Sequence, residues 1–221
     1  MELKTEGIVL KRYKTGDADD VTVIFTAAAG KILVLSKSTQ KLTSKLKSSL
    51  EIFSYNNYHL IKKNKNSKFF KLIGAQHMKM FENIRLSLRK IGFAYLVVEL
   101  INKFLEIEDE NFEIFDLTKN ILHMIDSELY PNIELLESFF KLKLLKLCGF
   151  DLTKDSNYLI NKDVKLKHVL DTILSTAELQ KIKFDFDILR EINMLINSYI
   201  VNILGEDIHS SKFLESIKSE K

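Results

Sequence analysis

The stretch VTVIFTAAAGKILVLS, residues 21–36, decides the fold of the first third of the chain. Residues 21–26 alternate between two faces, and residues 31–36 form a short apolar run. Both segments are rich in β-branched side chains, and the small residues that end in Gly30 separate them. The pattern predicts two strands joined by a turn.

Three more strands are predicted around this pair. Residues 5–13 alternate in polarity, while residues 50–61 and 69–73 are rich in aromatic side chains and flank a basic hairpin. Five short strands in about 75 residues fit a small closed barrel better than a sandwich, which needs about seven. The five-stranded barrel that binds oligonucleotides is the OB-fold. The sequence therefore predicts an OB-fold barrel in residues 1–78.

From about residue 79 the hydrophobic period becomes helical. Apolar side chains recur every three or four residues within residues 84–95, 111–126 and 187–205. Pro131, the only proline, stands where it can open a further helix. The predicted fold class is thus α+β, with the barrel followed by an all-α domain in residues 79–221.

Charge is divided unevenly between these two parts. Residues 1–80 hold 15 Lys and Arg against 6 Asp and Glu, a net charge of +9, while the remaining residues hold 18 against 24, a net of −6. Lysines that served only solubility would be spread evenly among matching acids. The excess predicts a polyanionic partner for the first domain.

The composition indicates in which cellular compartment the protein is expected. No stretch of about 18 apolar residues is present, so neither a membrane span nor a membrane partner is expected. The first seven residues lack the apolar core of a signal peptide. Cys148 is the only cysteine and lies among leucines, which predicts a buried, inert thiol. We expect a cytoplasmic protein.

Motifs for catalysis are missing from the sequence. Glycine-rich phosphate loops and the nucleophile elbow are absent, and the five histidines are scattered without metal-ligand spacing. Asp17, Asp19 and Asp20 are the alternative, as carboxylates of a metal-dependent nuclease. They follow Gly16 in a turn, where aspartate is favoured for local reasons, and a two-metal site needs further carboxylates. We predict no enzyme activity, no catalytic residue, no metal, no cofactor and no small-molecule substrate.

Basic side chains in loops and at strand ends are the candidate phosphate contacts. They are Lys11, Arg12, Lys31, Lys37, Lys41, Lys45, Lys47, Lys62, Lys63, Lys65 and Lys68. Lysine supplies charge, and the hydroxyl side chains between residues 36 and 48 supply hydrogen bonds to phosphate without reading base sequence. Nearby aromatic residues include candidates for base stacking, although most are expected to pack in the core or at its edge: Tyr13, Tyr55, Tyr58, Phe69 and Phe70.

An ordered series of short segments resembles the RecO family of bacterial recombinational-repair mediators. The series includes Gly7-Ile8-Val9-Leu10-Lys11-Arg12, Gly16-Asp17-Ala18-Asp19, Ser44-Lys45-Leu46, Leu50-Glu51-Ile52-Phe53, and Phe140-Lys141-Leu142-Lys143-Leu144-Leu145 with Gly149-Phe150. The resemblance implies an N-terminal OB-fold and a C-terminal helical domain. It also implies binding of single- and double-stranded DNA, annealing of complementary strands and association with the nucleoid. The implied partners are RecR and single-strand-binding protein, on whose DNA complex RecA would be loaded.

The sequence departs from the family pattern at two places. Ser38 and Gln40 stand where a glycine and an arginine are usual, which leaves the geometry of that loop and one phosphate contact open. Many relatives also carry a four-cysteine zinc module after the Gly-Phe pair, whereas residues 151–167 hold no cysteine. We therefore predict no structural zinc, so that helix packing must hold this region.

Four hypotheses remain at this stage. The first is a non-enzymatic DNA-binding mediator, and the second is an OB-fold protein that binds structured RNA. The third is the metal-dependent nuclease described above. The fourth is a structural adaptor whose charge serves solubility only.

Overall fold

Five strands form a closed barrel in the N-terminal part of the protein. The computed structural model describes residues 1–15, 19–36, 44–64, 66–127, 132–154, 164–176, 179–182 and 184–219. Within these ranges the strands are β1 (Glu2–Thr15), β2 (Asp19–Thr26), β3 (Gly30–Ser36), β4 (Tyr55–Lys62) and β5 (Phe69–Lys79). Their order around the barrel is β1-β2-β3-β5-β4, and only the β3–β5 pairing is parallel. This arrangement confirms the predicted OB-fold.

The barrel interior is filled by side chains from all five strands and from the segment before β4. These buried residues are Val9, Ile24, Ile32, Val34, Leu50, Tyr58, Leu60 and Phe70. Strand β2 is buried on both faces, because Ile24 points into this core while the ring of Phe25 lies 5.5 Å from that of Phe115. The alternation in residues 21–26 thus reflects two different packing environments, the barrel interior and a helix outside it.

The predicted strand at residues 50–61 was wrong at its beginning. The chain turns there, and β4 starts only at Tyr55. Phe53 adopts a left-handed φ of +71°, and its N–H donates to the carbonyl of Val9 over 3.1 Å. Leu50 lies in this turn and is fully buried. Apolar residues of a turn that fill the barrel core have the same sequence pattern as a buried strand.

Helices lie at the segments with a helical period, whereas the helices at residues 44–48, 164–175 and 209–219 were not predicted. Their bounds are α1 (Ser44–Ser48), α2 (Leu88–Phe104), α3 (Phe112–Asp126), α4 (Ile133–Leu147), α5 (Val164–Ser175), α6 (Phe186–Leu204) and α7 (His209–Ser219), with 3-10 turns at Glu82–Leu86 and Leu179–Lys181. Helix α4 begins after Asn132, whose side chain accepts from the N–H of Leu135 over 2.9 Å. The predicted helix start at Pro131 lies outside the described residues. Gly205 ends α6 with a φ of +68°.

The chain divides into two compact units. The first comprises Met1–Glu82 with Val98–Leu122, and the second comprises Asn83–Val97 with His123–Lys221. The first unit therefore holds the barrel together with the end of α2 and most of α3. The domain boundary near residue 78 stays a prediction. No helix in the described ranges combines the length and the apolar character needed to cross a membrane.

A buried polar network joins α4 to α6 in the second unit. Lys141 is fully buried, pairs with Glu137 one turn earlier, and donates to the side-chain oxygen of Asn197 over 2.6 Å. Asn193 donates to the carbonyl of Glu134 over 3.0 Å. Buried charges are tolerated when they are paired and hydrogen-bonded in this way. Cys148 caps the end of α4 and is partly exposed, so the prediction of a buried thiol was wrong.

Candidate nucleic-acid interface

Four of the predicted phosphate contacts have exposed side chains. Lys11 lies on β1, Lys47 lies on α1, and Lys63 and Lys68 belong to the turn between β4 and β5. At each of these positions on a strand, a short helix or a turn, the local fold does not enclose the side chain. These four lysines are free to meet a phosphate without any rearrangement of the barrel.

Arg12 is held in place by a carboxylate. Its Nε donates to Oδ2 of Asp20 over 3.0 Å, and its Nη2 bonds the same oxygen. Asp20 is only 5 % exposed, whereas Arg12 is partly exposed. A guanidinium has five N–H donors, so the ion pair fixes its direction and leaves other donors for an anion. The pair also occupies one carboxylate of the hypothetical nuclease site.

Lys31 is buried and bonds the helical part of its own unit. Its ammonium donates to the carbonyl of Asn102 in the last turn of α2, over 2.6 Å. The last carbonyls of a helix lack intrahelical partners, and a lysine satisfies one of them here. Burial lowers the pKa of Lys31, and the nearby carboxylates of Glu106 and Asp109 oppose that shift. The side chain thus has a structural role in the barrel unit.

Lys62 is buried and paired. Its ammonium forms an ion pair with Glu108 and lies 5.1 Å from the centre of the Phe70 ring. Its backbone N–H donates to the carbonyl of Met1 over 2.8 Å. These contacts attach the end of β4 to the N-terminus and to the segment after α2, so they orient the hairpin that bears Lys63 and Lys68.

Some predicted contacts lie outside the described part of the chain. These are Lys37, Lys41, Lys65 and the side chain of Lys45, together with Asp17 and the side chain of Asp19 from the nuclease alternative. Their roles stay predictions.

Three further lysines of the barrel are exposed: Lys4, Lys14 and Lys71. Of these, Lys4 and Lys71 were not among the predicted contacts. Lys4 lies on β1 between the partly buried Leu3 and the buried Thr5, so strand alternation was the signal that could have identified it. Across the described residues up to 80, seven lysines are exposed and only two carboxylates are, Glu2 and Glu51. The basic excess of the sequence is therefore also an excess at the surface.

Four of the exposed lysines form two groups on the barrel. Ile61 pairs with Glu2, so the hairpin with Lys63 and Lys68 lies beside the beginning of β1. Lys11 and Lys14 lie near the end of the same strand. At about 3.3 Å per residue, roughly 30 Å of strand separates the two groups, which is a span of several nucleotides. The structure brings Lys63 and Lys68 together and keeps them apart from Lys11.

The aromatic candidates are mostly buried, which confirms that most of them pack in the barrel. Tyr55, Tyr58 and Phe70 are 7 %, 1 % and 3 % exposed. The hydroxyl of Tyr58 donates to the carbonyl of Ser49 over 2.5 Å, and burial raises its pKa. Phe69 is partly buried, and Tyr13 is 41 % exposed. Of the five, Tyr13 presents the most open ring.

No cluster of three or more His, Cys, Asp or Glu side chains in the described ranges is arranged to hold a metal ion. The structure thus defines a small OB-fold barrel with a lysine-bearing surface, linked in one chain to a helical unit. Proteins of this class bind oligonucleotides through such barrels.

Comparison with known proteins identifies the family. The model for the recombination protein O N terminal matches residues 1–76, and the model for its C terminal matches residues 85–171. The chain belongs to the RecO family.

Individual relatives carry the same family name. The chain is 30 % identical over 149 residues to "DNA repair protein RecO" of Alkaliphilus metalliredigens, a match that covers 67 % of this chain and 59 % of that protein. It is 32 % identical over 149 residues to the protein of the same name from Dehalococcoides mccartyi strain 195, with 67 % and 57 % covered. A match to the Halalkalibacterium halodurans protein of that name is 21 % identical and covers 98 % of this chain and 95 % of the relative. The first two matches thus span less than two thirds of the relatives' length.

Proposed function

We propose that this protein is a DNA-binding mediator of recombinational repair that acts by binding and not by catalysis. It binds single- and double-stranded DNA through the lysine-bearing surface of the barrel and anneals complementary strands. With RecR it helps to load RecA onto DNA coated by single-strand-binding protein, which places it at the nucleoid.

One observation carries the DNA-binding part of this proposal. Seven lysines against two carboxylates are exposed on the described barrel residues, although several basic side chains of the same segment are used internally. Ion pairs such as Arg12–Asp20 and Lys62–Glu108 neutralise charge inside the fold, so the surface excess is not needed for stability. A concentrated positive surface raises the local concentration of a polyanion and speeds its association. Contacts of lysine with phosphate give affinity without sequence preference.

The partnership with RecR, RecA and single-strand-binding protein rests on membership of the family. The helical part of the sequence, residues 81–221, is proposed to hold these partners, because it carries a net charge of −6 whereas residues 1–80 carry +9. A segment without a positive net charge would not compete with the barrel for DNA.

The salt dependence of oligonucleotide binding tests the proposal. The Lys63→Gln/Lys68→Gln variant removes two exposed charges from the hairpin, and the matched control, Lys146→Gln/Lys167→Gln, removes two exposed charges from the helical unit. Each neutralised phosphate contributes about 0.7 to the slope of log K against log salt for single strands. We expect the hairpin variant to bind more weakly and to lose up to roughly 1.4 from that slope. The control should bind as the wild type does.

Four outcomes would contradict the proposal. Absence of wild-type binding at low salt would refute DNA binding. Equal loss in the hairpin variant and the control would refute the barrel as the interface. Stronger binding of RNA than of a DNA oligonucleotide of the same sequence would favour the RNA hypothesis, because a 2′-hydroxyl contact distinguishes the two. Cleavage of labelled DNA in Mg²⁺ would restore the nuclease hypothesis. A strand-annealing assay with the same variants tests whether binding leads to annealing.

A further inference from the structure

Tyr13 is the exposed aromatic side chain of the barrel strands. It is 41 % exposed, whereas the other described aromatic residues of these strands are buried or partly buried. It lies near the end of β1, directly opposite Val21 of β2. Side chains opposite each other on antiparallel strands have Cβ atoms about 5 Å apart. Val21 is 2 % exposed, so Tyr13 stands opposite a buried valine while much of its own side chain is open to solvent.

The described basic side chains of β1 lie on both sides of the strand at this ring. Lys11 shares the face of Tyr13 two residues earlier, Lys14 follows directly on the opposite face, and both are exposed. Asp20, on the paired strand β2, is buried and already paired with Arg12. An open ring with Lys11 on the same face offers one base face and one phosphate contact at once, and Lys14 adds positive charge on the other face. These are the components with which proteins bind single strands.

Two other aromatic residues of the same unit show what is specific to Tyr13. Phe69 is partly buried, and the ammonium of Lys68 lies 5.9 Å from its ring centre. Phe112 is more exposed than Tyr13, at 64 %, but the exposed carboxylates of Glu110 and Glu113 flank it. Phosphate would be repelled there. Of these three described rings, Tyr13 alone combines high exposure with neighbouring lysines.

We propose that Tyr13 stacks on a base of single-stranded DNA, with Lys11 holding a flanking phosphate and Lys14 adding positive charge at the same end of β1. The inference rests on the proposed DNA-binding function and adds a preference for single strands at this end of β1. In a duplex the base faces are already stacked on one another, so a duplex meets only the lysines. The site reads no sequence, because every base offers a π face.

A single tryptophan gives a direct probe of the stacking, because the chain contains none. The Tyr13→Trp variant places the only indole at the proposed site, and the matched control, Phe112→Trp, places it at the exposed acidic position of the same unit. We expect oligo(dT) to quench the indole of Tyr13→Trp. A duplex of equal length should quench it much less, and neither DNA should affect the control.

Removal of the ring gives an independent measurement. Tyr13→Leu keeps an apolar side chain opposite Val21 but loses the π face, while Tyr13→Phe keeps the face and loses only the hydroxyl. Stacking on one base is worth a factor of roughly 5 to 150 in affinity. We expect Tyr13→Leu to weaken binding to oligo(dT) within that range and binding to duplex by less than about 2-fold. Tyr13→Phe should bind as the wild type does. The salt slope should stay the same in both variants, because no phosphate contact is removed.

The results separate this inference from the proposed function. If the wild type binds DNA with the expected salt dependence but Tyr13→Leu binds oligo(dT) within 2-fold of it, stacking is refuted and the DNA-binding proposal stands. Equal weakening for single strands and duplex would show that the side chain supports the lysines and does not stack, which also overturns the inference. Thermal unfolding of each variant, followed by circular dichroism, establishes that the affinity is measured on folded protein.

Discussion

Substitution of Gly30 by alanine should be among the most damaging single-methyl changes in the barrel. Gly30 begins β3 with a left-handed φ of +61°. A Cβ added there would lie 2.0 Å from the carbonyl oxygen of Asp109 and 2.4 Å from its carbonyl carbon. The obstruction is backbone, so no side-chain rotation relieves it. The segment after α2 must move away from the barrel if the methyl group is to fit.

The cost of this change has two parts. A left-handed conformation costs an L-residue about 1–2 kcal/mol. Displacement of the segment adds to this the loss of the hydrogen bond from the N–H of Glu108 to the carbonyl of Lys31, now 2.7 Å long, and of the Lys62–Glu108 ion pair. A hydrogen bond contributes about 0.5–1.5 kcal/mol, and a pair with one buried partner contributes a similar amount. We expect the free energy of unfolding to fall by about 3–4 kcal/mol.

Two other glycines separate these contributions. At Gly205 φ is +68° and nothing lies within 4 Å of an added Cβ, so Gly205→Ala reports the backbone conformation alone. At Gly74 nothing lies within 4 Å and φ is not left-handed, so alanine should be neutral or slightly stabilising within β5. We expect costs of about 1–2 kcal/mol at Gly205 and about zero at Gly74.

Urea denaturation followed by circular dichroism measures all three variants. The transition of the barrel unit is compared for Gly30→Ala and Gly74→Ala, and that of the helical unit is compared for Gly205→Ala and wild type. The reasoning is refuted if Gly30→Ala costs no more than Gly205→Ala. That result would mean that the segment at Asp109 gives way without loss, and that its contacts with Lys31 and Lys62 contribute little.

Three further predictions concern contacts inside one or the other of the two units. Lys141→Met leaves Glu137 buried without its partner and should cost about 3–5 kcal/mol in urea denaturation, whereas the double change that also replaces Glu137 by leucine should recover most of it. The raised pKa of Tyr58 means that its protonated form stabilises the folded state fully below its unfolded pKa of about 10 and less as pH rises above that value. The urea midpoint should therefore fall steeply above about pH 10, and less steeply in Tyr58→Phe; an equal fall in both would refute this assignment. Asn132→Ala removes the N-terminal cap of α4 and should lower thermal stability by about 1 kcal/mol, while Asn132→Asp should retain it.

Much of the fold follows from local pattern. The alternation in residues 21–26 and the turn at Gly30 predict two adjacent strands, and the helical period after residue 84 predicts α2, α3, α4 and α6 but not α5 or α7. The beginning of β4 did not follow, because the turn at Phe53 buries apolar residues in the barrel from outside any strand. Hydrophobicity predicts that a residue is buried, but it does not predict whether a strand or a turn places that residue in the core.

The candidate interface was less predictable than the fold. A lysine at a strand end looks the same in sequence whether it faces solvent or a partner. The partners of Lys31 and Lys62 are Asn102 and Glu108, which lie 71 and 46 residues away along the chain. Only the folded chain brings them together. Conversely, the exposure of Lys4 and Lys71 depends on strand register, which single-residue character does not specify.

The contacts of Lys31 and Lys62 change the interpretation of the uneven charge distribution along the sequence. Glu108 belongs to the part of the sequence with a net negative charge, yet it neutralises Lys62 of the basic part within one unit. The neighbouring acids from Glu106 to Glu113 remain exposed on that same unit. The barrel unit therefore carries both a lysine-bearing surface and an acidic segment, and a polyanion is attracted to the first and repelled by the second. Such a distribution limits the orientations in which DNA meets the barrel, because an approach over Phe112 is opposed by charge while an approach over Tyr13 is favoured by it.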